Sequence, residues 1–250
     1  MGMMIKEWFL QLTTPTLCLI LTTILFLIVE RLFPGRQLPK VKGWYTRALL
    51  VNLAQFVITV STAKVFSKLF GDYSLFHLSN LQNPILEGMI GWTVGTFFFY
   101  WWHRYRHSKL LWYIFHQVHH SPTRLEVVTS FYKHPIEILS DSFLTAIVLY
   151  PFLGCSMEGV FWNNFFAATA EFFYHGNIKT PGWIRYFIQT PELHSIHHEY
   201  DVHYYNFSDL PIWDRLFGTY MDTTEFVKRC GFEERLERQL VPMLLFKHIE

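Results

Sequence analysis

Apolar residues in this chain gather into long runs. The first, from about Trp8 to Phe33, contains CLILTTILFLIV and has no charged residue between Leu10 and Val29. With ~1.5 Å of rise per residue, ~20 residues cross the hydrocarbon core of a bilayer, so this run predicts a transmembrane helix. A weaker run covers Ala48 to about Phe70, with Lys64 and Lys68 four apart in its last turns, placed to snorkel to an interface. The stretch GDYSLFHLSNLQNP then reads as a loop, punctuated by Gly, Asp, Asn and Pro. A third span is expected from about Ile85 to Trp102, rich in Phe and Trp.

Two further apolar segments, Ser142 to Gly154 and Met157 to Phe173, are expected to pair as a helical hairpin, because the first is short and contains Pro151. Within the pair, Glu158, Asn163, Asn164 and Glu171 are costly in lipid and should face protein or a wet cavity. From Ile178 onward no span remains; the chain is polar and aromatic, broken by Pro181 and Pro191, and EERLERQL reads as a short amphipathic helix. The expected fold class is all-α: a polytopic membrane bundle capped by a cytosolic, histidine-rich helical di-metal region. A single domain over 1–250 divides into membrane helices (8–102), a first histidine region (103–140), a membrane hairpin (141–174) and a second histidine region with a cap (175–250).

Basic residues orient this layout. Arg31, Arg36, Lys40, Lys42 and Arg47 follow the first span and place that side in the cytoplasm. Two more crossings return the chain there at His103, and Arg104, Arg106, Lys109, Arg124 and Lys133 agree. The same cations either attract an acidic partner protein or simply follow the positive-inside rule.

Composition supports a membrane protein with a sizeable aqueous part. Charged residues are 16% of 250, against roughly 25% in an average soluble domain, while the mean hydropathy of +0.16 is mild. A net charge of +1 gives no reason to expect nucleic acid. The three cysteines, Cys18, Cys155 and Cys230, are far apart, which argues against a disulfide framework or a thiolate metal site. Only Lys6 precedes the first apolar run, and no cleavable signal peptide is expected; nor is a fused haem or flavin module.

The candidate chemistry lies in the histidines. Five of thirteen fall in HRYRHSKLLWYIFHQVHH, spaced as His103-x3-His107 and His116-x2-His119-His120. A second H-x2-HH follows at His194, His197 and His198. On a helix, residues three or four apart share a face, so each box should project its imidazoles together. A tetrahedral zinc is saturated by four ligands; eight neutral imidazoles suit two borderline ions such as iron, with zinc as the occupant that a purified sample can acquire. His134 and His175, between the boxes, are further candidate ligands. Glu137 and Glu192 fit as acceptors for imidazole N–H groups; His203 and Asp201 are candidates for the same outer layer.

A metal transporter would need ionisable ligands inside the spans, whereas these boxes lie outside them. A zinc hydrolase of the H-E-x-x-H kind lacks its motif here.

The motifs HRYRH, HQVHH, FYKHPIE, FYHGN, TPELHSIHH and LPIWDRLFGTY, in this order from His103 to Tyr220, resemble the fatty acid hydroxylase superfamily, which includes sterol desaturases and C4-methyl sterol oxidases. The histidine boxes alone also suit acyl-lipid desaturases; the HPIE, HGN and WDRLFGTY elements point to this superfamily. The resemblance implies an integral membrane di-iron enzyme that uses O2 to hydroxylate or desaturate a lipid such as a sterol or fatty acyl chain, with electrons from an external donor protein. Carried over motif by motif, it implies His103, His107, His116, His119, His120, His194, His197 and His198 as ligands, with His134 and His175 at places where relatives carry histidine.

Overall fold

The computed structural model of the chain describes residues 2–70 and 74–249, with side chains from residue 14 onward. The Gly71–Tyr73 part of the expected loop lies outside these residues, as do the side chains of Lys6, Trp8 and Leu10. Helices α1 (Gly2–Leu32), α2 (Trp44–Phe70) and α3 (Pro84–Arg106) are followed by the short α4 (Lys109–Leu111) and α5 (Gln117–His120), joined by a π-helical turn at Trp112–His116. α6 (Pro135–Ile147) continues into a π-helical segment at Val148–Leu153 and is followed by α7 (Met157–His175). Four short helices complete the chain: α8 (Pro191–His197), α9 (Pro211–Leu216), α10 (Glu234–Glu237) and α11 (Leu240–Leu244). Among the described residues the β pairing consists of two isolated bridges.

Among the described residues, three helices are long and apolar enough to cross a membrane: Thr14–Leu32, Trp44–Phe70 and Pro135–Leu153. The chain is an integral membrane protein, and α1 and α2 turn apolar side chains such as Leu21, Leu25, Leu49 and Leu53 outward, each more than half exposed. The first two spans fall where expected. The third does not. α3 covers the expected stretch but carries Glu87, Gly88, Gly91, Gly95, Tyr100 and His103 among its apolar residues, which lowers its hydropathy. Conversely, Pro151 does not stop the segment after α6. The π-helical geometry lets the chain run on to Gly154, whose positive φ of 71° closes the helix as its N–H donates a hydrogen bond back to the Tyr150 carbonyl.

α3 and α7 lie close enough that a Cβ on Gly88 would come 2.5 Å from the Trp162 Cβ and 2.6 Å from the Asn163 nitrogen. Glu87, buried in the same contact, accepts the Ser156 amide at 2.7 Å just before α7 begins. α1 packs on α7 through Phe26 and Phe172, and α2 packs on α6 through Phe66 and Phe143.

Buried carboxylates tie the loops across one end of this bundle. Glu126 receives Arg31 at 2.9 Å, the Trp44 indole at 2.8 Å and Arg124 at 2.5 Å. Glu30 accepts the amides of Val127 and Asn177 at 2.9 and 3.2 Å, and Glu237 accepts Arg47 at 2.9 Å. Several of the basic residues read as a loop signal are therefore structural. Arg106 and Arg124 are buried, which removes them from any docking surface for a partner.

Candidate metal centre

Each histidine box is held by its own local geometry. His103 sits in the last turn of α3, and His107 is the residue that ends it. His116 closes the π-helical turn, and His119 and His120 fill the single turn of α5. Thr190 caps α8 by accepting the Leu193 amide, and Pro191 occupies its first position, where the missing N–H costs nothing. His175 is the last residue of α7.

These elements converge on two groups. His103, His107, His116, His120 and His197 form the first; His119, His175, His194 and His198 form the second, with the nitrogens of each group all within 4.8 Å of one another. All except the half-buried His107 are buried. The boxes do not each serve one group. Positions i+3 and i+4 fall on either side of i, ~100° apart from each other at 3.6 residues per turn. His116 and His120 thus face the first group while His119 faces the second; His194 and His198 face the second while His197 faces the first.

The outer nitrogens are anchored. His103 Nδ1 lies 2.7 Å from the Phe207 carbonyl, His197 Nδ1 2.8 Å from Tyr205 O and His175 Nδ1 2.9 Å from Glu171 O. His116 Nδ1 meets Glu137 Oε1 at 3.0 Å, and that oxygen also takes Arg106 at 2.5 Å. His194 Nδ1 meets the Gln189 amide at 2.6 Å. A ring nitrogen that donates to a carbonyl leaves the other nitrogen unprotonated, with its lone pair inward.

Those inner nitrogens crowd together. The Nε2 atoms of His107 and His116 are 3.0 Å apart, those of His175 and His194 3.1 Å, and those of His119 and His175 3.3 Å. His103 Nε2, His197 Nε2 and both nitrogens of His120 and His198 are buried without any hydrogen-bond partner. A buried polar atom left unpaired costs about 1–3 kcal/mol, and each of these four residues offers a ligand atom to one of the two groups. Burial, reinforced by neighbouring histidines, holds the imidazoles of His107, His119, His120, His194 and His198 well below their ordinary range; for His116 and His197 burial is again the largest cause. Neutral imidazoles whose inner nitrogens crowd together, five in one group and four in the other, fit two transition-metal ions.

Not every expected residue joins the groups. His134 stands apart as the N-cap of α6: its Nδ1 accepts the Ile136 amide at 3.1 Å and its Nε2 meets Leu244 O at 3.2 Å, which leaves no nitrogen for a metal. Glu192 turns away from the imidazoles and accepts the Thr180 amide and hydroxyl at 2.7 and 2.8 Å. Asp201 is exposed on a loop, at a positive φ of 59°. His203 lies over Trp112, ring centroids 4.3 Å apart, and 5.3 Å from His120; burial pushes it down to about 4, against the opposing pull of Asp201. Glu137 does touch a metal-group residue, His116.

One positioning residue escaped the sequence reading. Asp214, buried in WDRLFGTY, accepts the Phe207 amide at 2.8 Å, the Ser208 amide at 2.9 Å and the Thr219 hydroxyl at 2.7 Å. It fixes the turn whose Phe207 carbonyl holds His103. The anchoring carbonyls themselves have no side-chain signature.

A cavity of about 440 Å³ runs from between α1 and α2 to this centre. Thr16, Thr59 and Phe66 line its membrane part, and His103, His119, His175 and His194 line its far end.

Comparison with known proteins agrees with this arrangement. The model of the fatty acid hydroxylase family matches residues 88–219, more than half of the chain. The chain is 32% identical over 138 residues to an ornithine lipid hydroxylase of Rhizobium tropici, covering 53% of this chain and 41% of that one. It is 31% identical over 140 residues to a very-long-chain aldehyde decarbonylase of Oryza sativa subsp. japonica, covering 51% and 22%, and 30% identical over 142 residues to a sphinganine C4-monooxygenase of Arabidopsis thaliana, covering 54% and 55%. The chain thus spans little more than half the length of these relatives at most. No solved structure matches it. All nine grouped histidines fall inside the matched segment, and with them the chain belongs to the fatty acid hydroxylase family.

Proposed function

We propose that this protein is a membrane-bound, O2-dependent di-iron oxidoreductase that hydroxylates a lipid. The observation that carries the proposal is the pair of buried imidazole groups at the end of a cavity that opens among the membrane helices. His103, His107, His116, His120 and His197 would hold one iron, and His119, His175, His194 and His198 the other. When bound, the two irons supply the activation of O2 and the oxidation of a C–H bond. The chain's own residues do the rest. The carbonyls of Phe207, Tyr205 and Glu171, together with Glu137, fix the ring orientations. The helices around the cavity orient the lipid and keep bulk water from the reacting carbon.

The names of the relatives support a lipid substrate and favour hydroxylation over desaturation, since one is a lipid hydroxylase and another a sphinganine monooxygenase. The basic loop after α1 supports a cytoplasmic position for the metal centre. From there an external electron-donor protein docks from water while the lipid enters from the bilayer. The chain is read as one domain over 1–250, its aqueous regions completing a centre that the membrane helices begin.

Protein reconstituted in lipid with ferrous iron, a reducing donor and a panel of sterols, acyl lipids and sphingoid bases is expected to consume O2 and release an oxidised lipid. Two bound irons with no O2 uptake on any lipid class would overturn the proposal.

A further inference from the structure

The cavity is not a plain hydrocarbon slot. Near its metal end the wall carries Gln55 from α2, Lys133 from the loop before α6, Asp141 from α6 and Glu171 from α7. Groups of this kind persist beside membrane helices only when partners or a ligand satisfy them.

Their donors and acceptors are unequal. Lys133 Nζ is shared between both Glu171 oxygens at 3.0 Å and lies 3.9 Å from Asp141 Oδ2. Arg106 is held by Glu137 at 2.5 Å and Asp141 at 3.4 Å. Lys133 is thus committed, as is Arg106 Nη1, while Arg106 Nε is buried without a partner. Gln55 Nε2 donates to the Lys133 carbonyl, but Gln55 Oε1, in a residue only 2% exposed, meets no donor. The side chains of Glu171 and Asp141 stay 20% and 15% accessible, and a carboxylate accepts about four hydrogen bonds. The wall thus presents the unpaired Gln55 oxygen and two carboxylates with acceptor capacity to spare, beside the one unpaired Arg106 nitrogen.

This wall adjoins the second histidine group. Glu171 precedes His175 by one turn of α7, and its carbonyl holds the His175 ring at 2.9 Å. His119 and His175 line the same cavity.

We infer that Gln55, Asp141 and Glu171 form a recognition subsite for a hydrogen-bond donor on the substrate, a hydroxyl or an amine. A lipid seated there carries its donor within a few bonds of the carbon facing the metals. A free fatty acid is disfavoured, because its carboxylate adds acceptors and brings no donor to the Gln55 oxygen.

The inference rests on the oxygenase reading for its substrate, but binding alone tests it. A matched set of one chain length, the primary alcohol, the amine, the carboxylate and the alkane, is titrated against metal-loaded protein in detergent, read by native mass spectrometry. The alcohol and the amine are expected to bind about tenfold or more tighter than the carboxylate and the alkane. Gln55→Leu should cut the alcohol preference about fivefold or more. Glu171→Gln should strengthen carboxylate binding relative to amine. Where Glu171→Gln loses its metals, Asp141→Asn reads the same ratio. Equal binding of alcohol and carboxylate to the unaltered protein, no binding of any probe, or ratios unmoved in the variants would overturn the subsite. Protein that holds iron and takes up no O2 refutes the oxygenase reading and leaves these ratios measurable.

Discussion

His120 and His198 stack face to face, ring centroids 4.3 Å apart and planes inclined by 16°, although they belong to different histidine groups. The two groups thus share a wall of parallel imidazoles. Neither ring has a hydrogen bond from any protein atom to hold it, so each depends on a metal and on the other's face.

His120→Ala should therefore disturb both groups, whereas His103→Ala should disturb only the first. Iron per chain, measured by mass spectrometry of the purified protein, is expected to fall from about two toward zero in the first variant and toward one in the second. Equal losses in both would show that the shared wall has no role.

His134→Ala makes the opposite case. Both ring nitrogens are spent on the α6 cap and on Leu244 O. The variant should keep its metal content and lose about 1 kcal/mol of stability, the usual cost of a missing N-cap. Loss of one iron per chain with unchanged melting would return His134 to the ligand set.

The difference between His134 and its neighbours shows what spacing carries. A box of three histidines at i, i+3 and i+4 announces a shared helix face, and six of the nine grouped residues come from the two such boxes. The same spacing also contains the split between groups, because adjacent His119 and His120 differ by ~100°. A histidine before a proline, by contrast, fits an N-cap as well as it fits a ligand, and Pro135 at the first position of α6 decides for the cap. Glu192 lies two residues from His194 in the chain yet faces Thr180, because proximity in sequence says nothing about helix phase. Hydropathy located α1 and α2 well. In α3, where a third span is expected, Gly88 and Gly91 serve close contact with α7. The carbonyls that hold the imidazoles belong to the backbone and leave no trace in residue identity.

Acid should destabilise the metal-free protein. The buried imidazoles and His203, at about 4, have folded values below the unfolded value near 6.5. Between those values the unfolded chain binds protons that the folded chain does not, so stability rises with pH through that window. It is complete above about pH 6.5 and declines below it, by roughly 1.4 kcal/mol per pH unit for each imidazole involved. Asp214 works in the opposite sense: burial raises it to about 6, so its contribution is lost as pH rises from about 4 to about 6. The imidazoles outnumber it. The melting temperature of the apoprotein should drop between about pH 7 and about pH 5; a flat or rising profile toward acid would contradict the neutral, buried state of these rings.

Asp214→Ala tests whether a residue that touches no imidazole still builds the centre. Removing the carboxylate strands the Phe207 and Ser208 amides and the Thr219 hydroxyl, three donors now held at 2.7–2.9 Å. The turn then loses its fixed position, and with it the carbonyl 2.7 Å from His103 Nδ1. Stability should fall by about 1–3 kcal/mol for the stranded amides. Iron affinity of the first group should fall by about 10–100-fold, the usual cost of removing an outer anchor of a ligand, while the second group, anchored through Glu171 and Gln189, keeps its iron. Asp214→Asn retains one acceptor oxygen and should show a smaller loss of the same kind. A variant that melts lower while both groups bind iron as before would make Asp214 a fold residue alone; selective loss from the first group would establish it as the residue that positions His103.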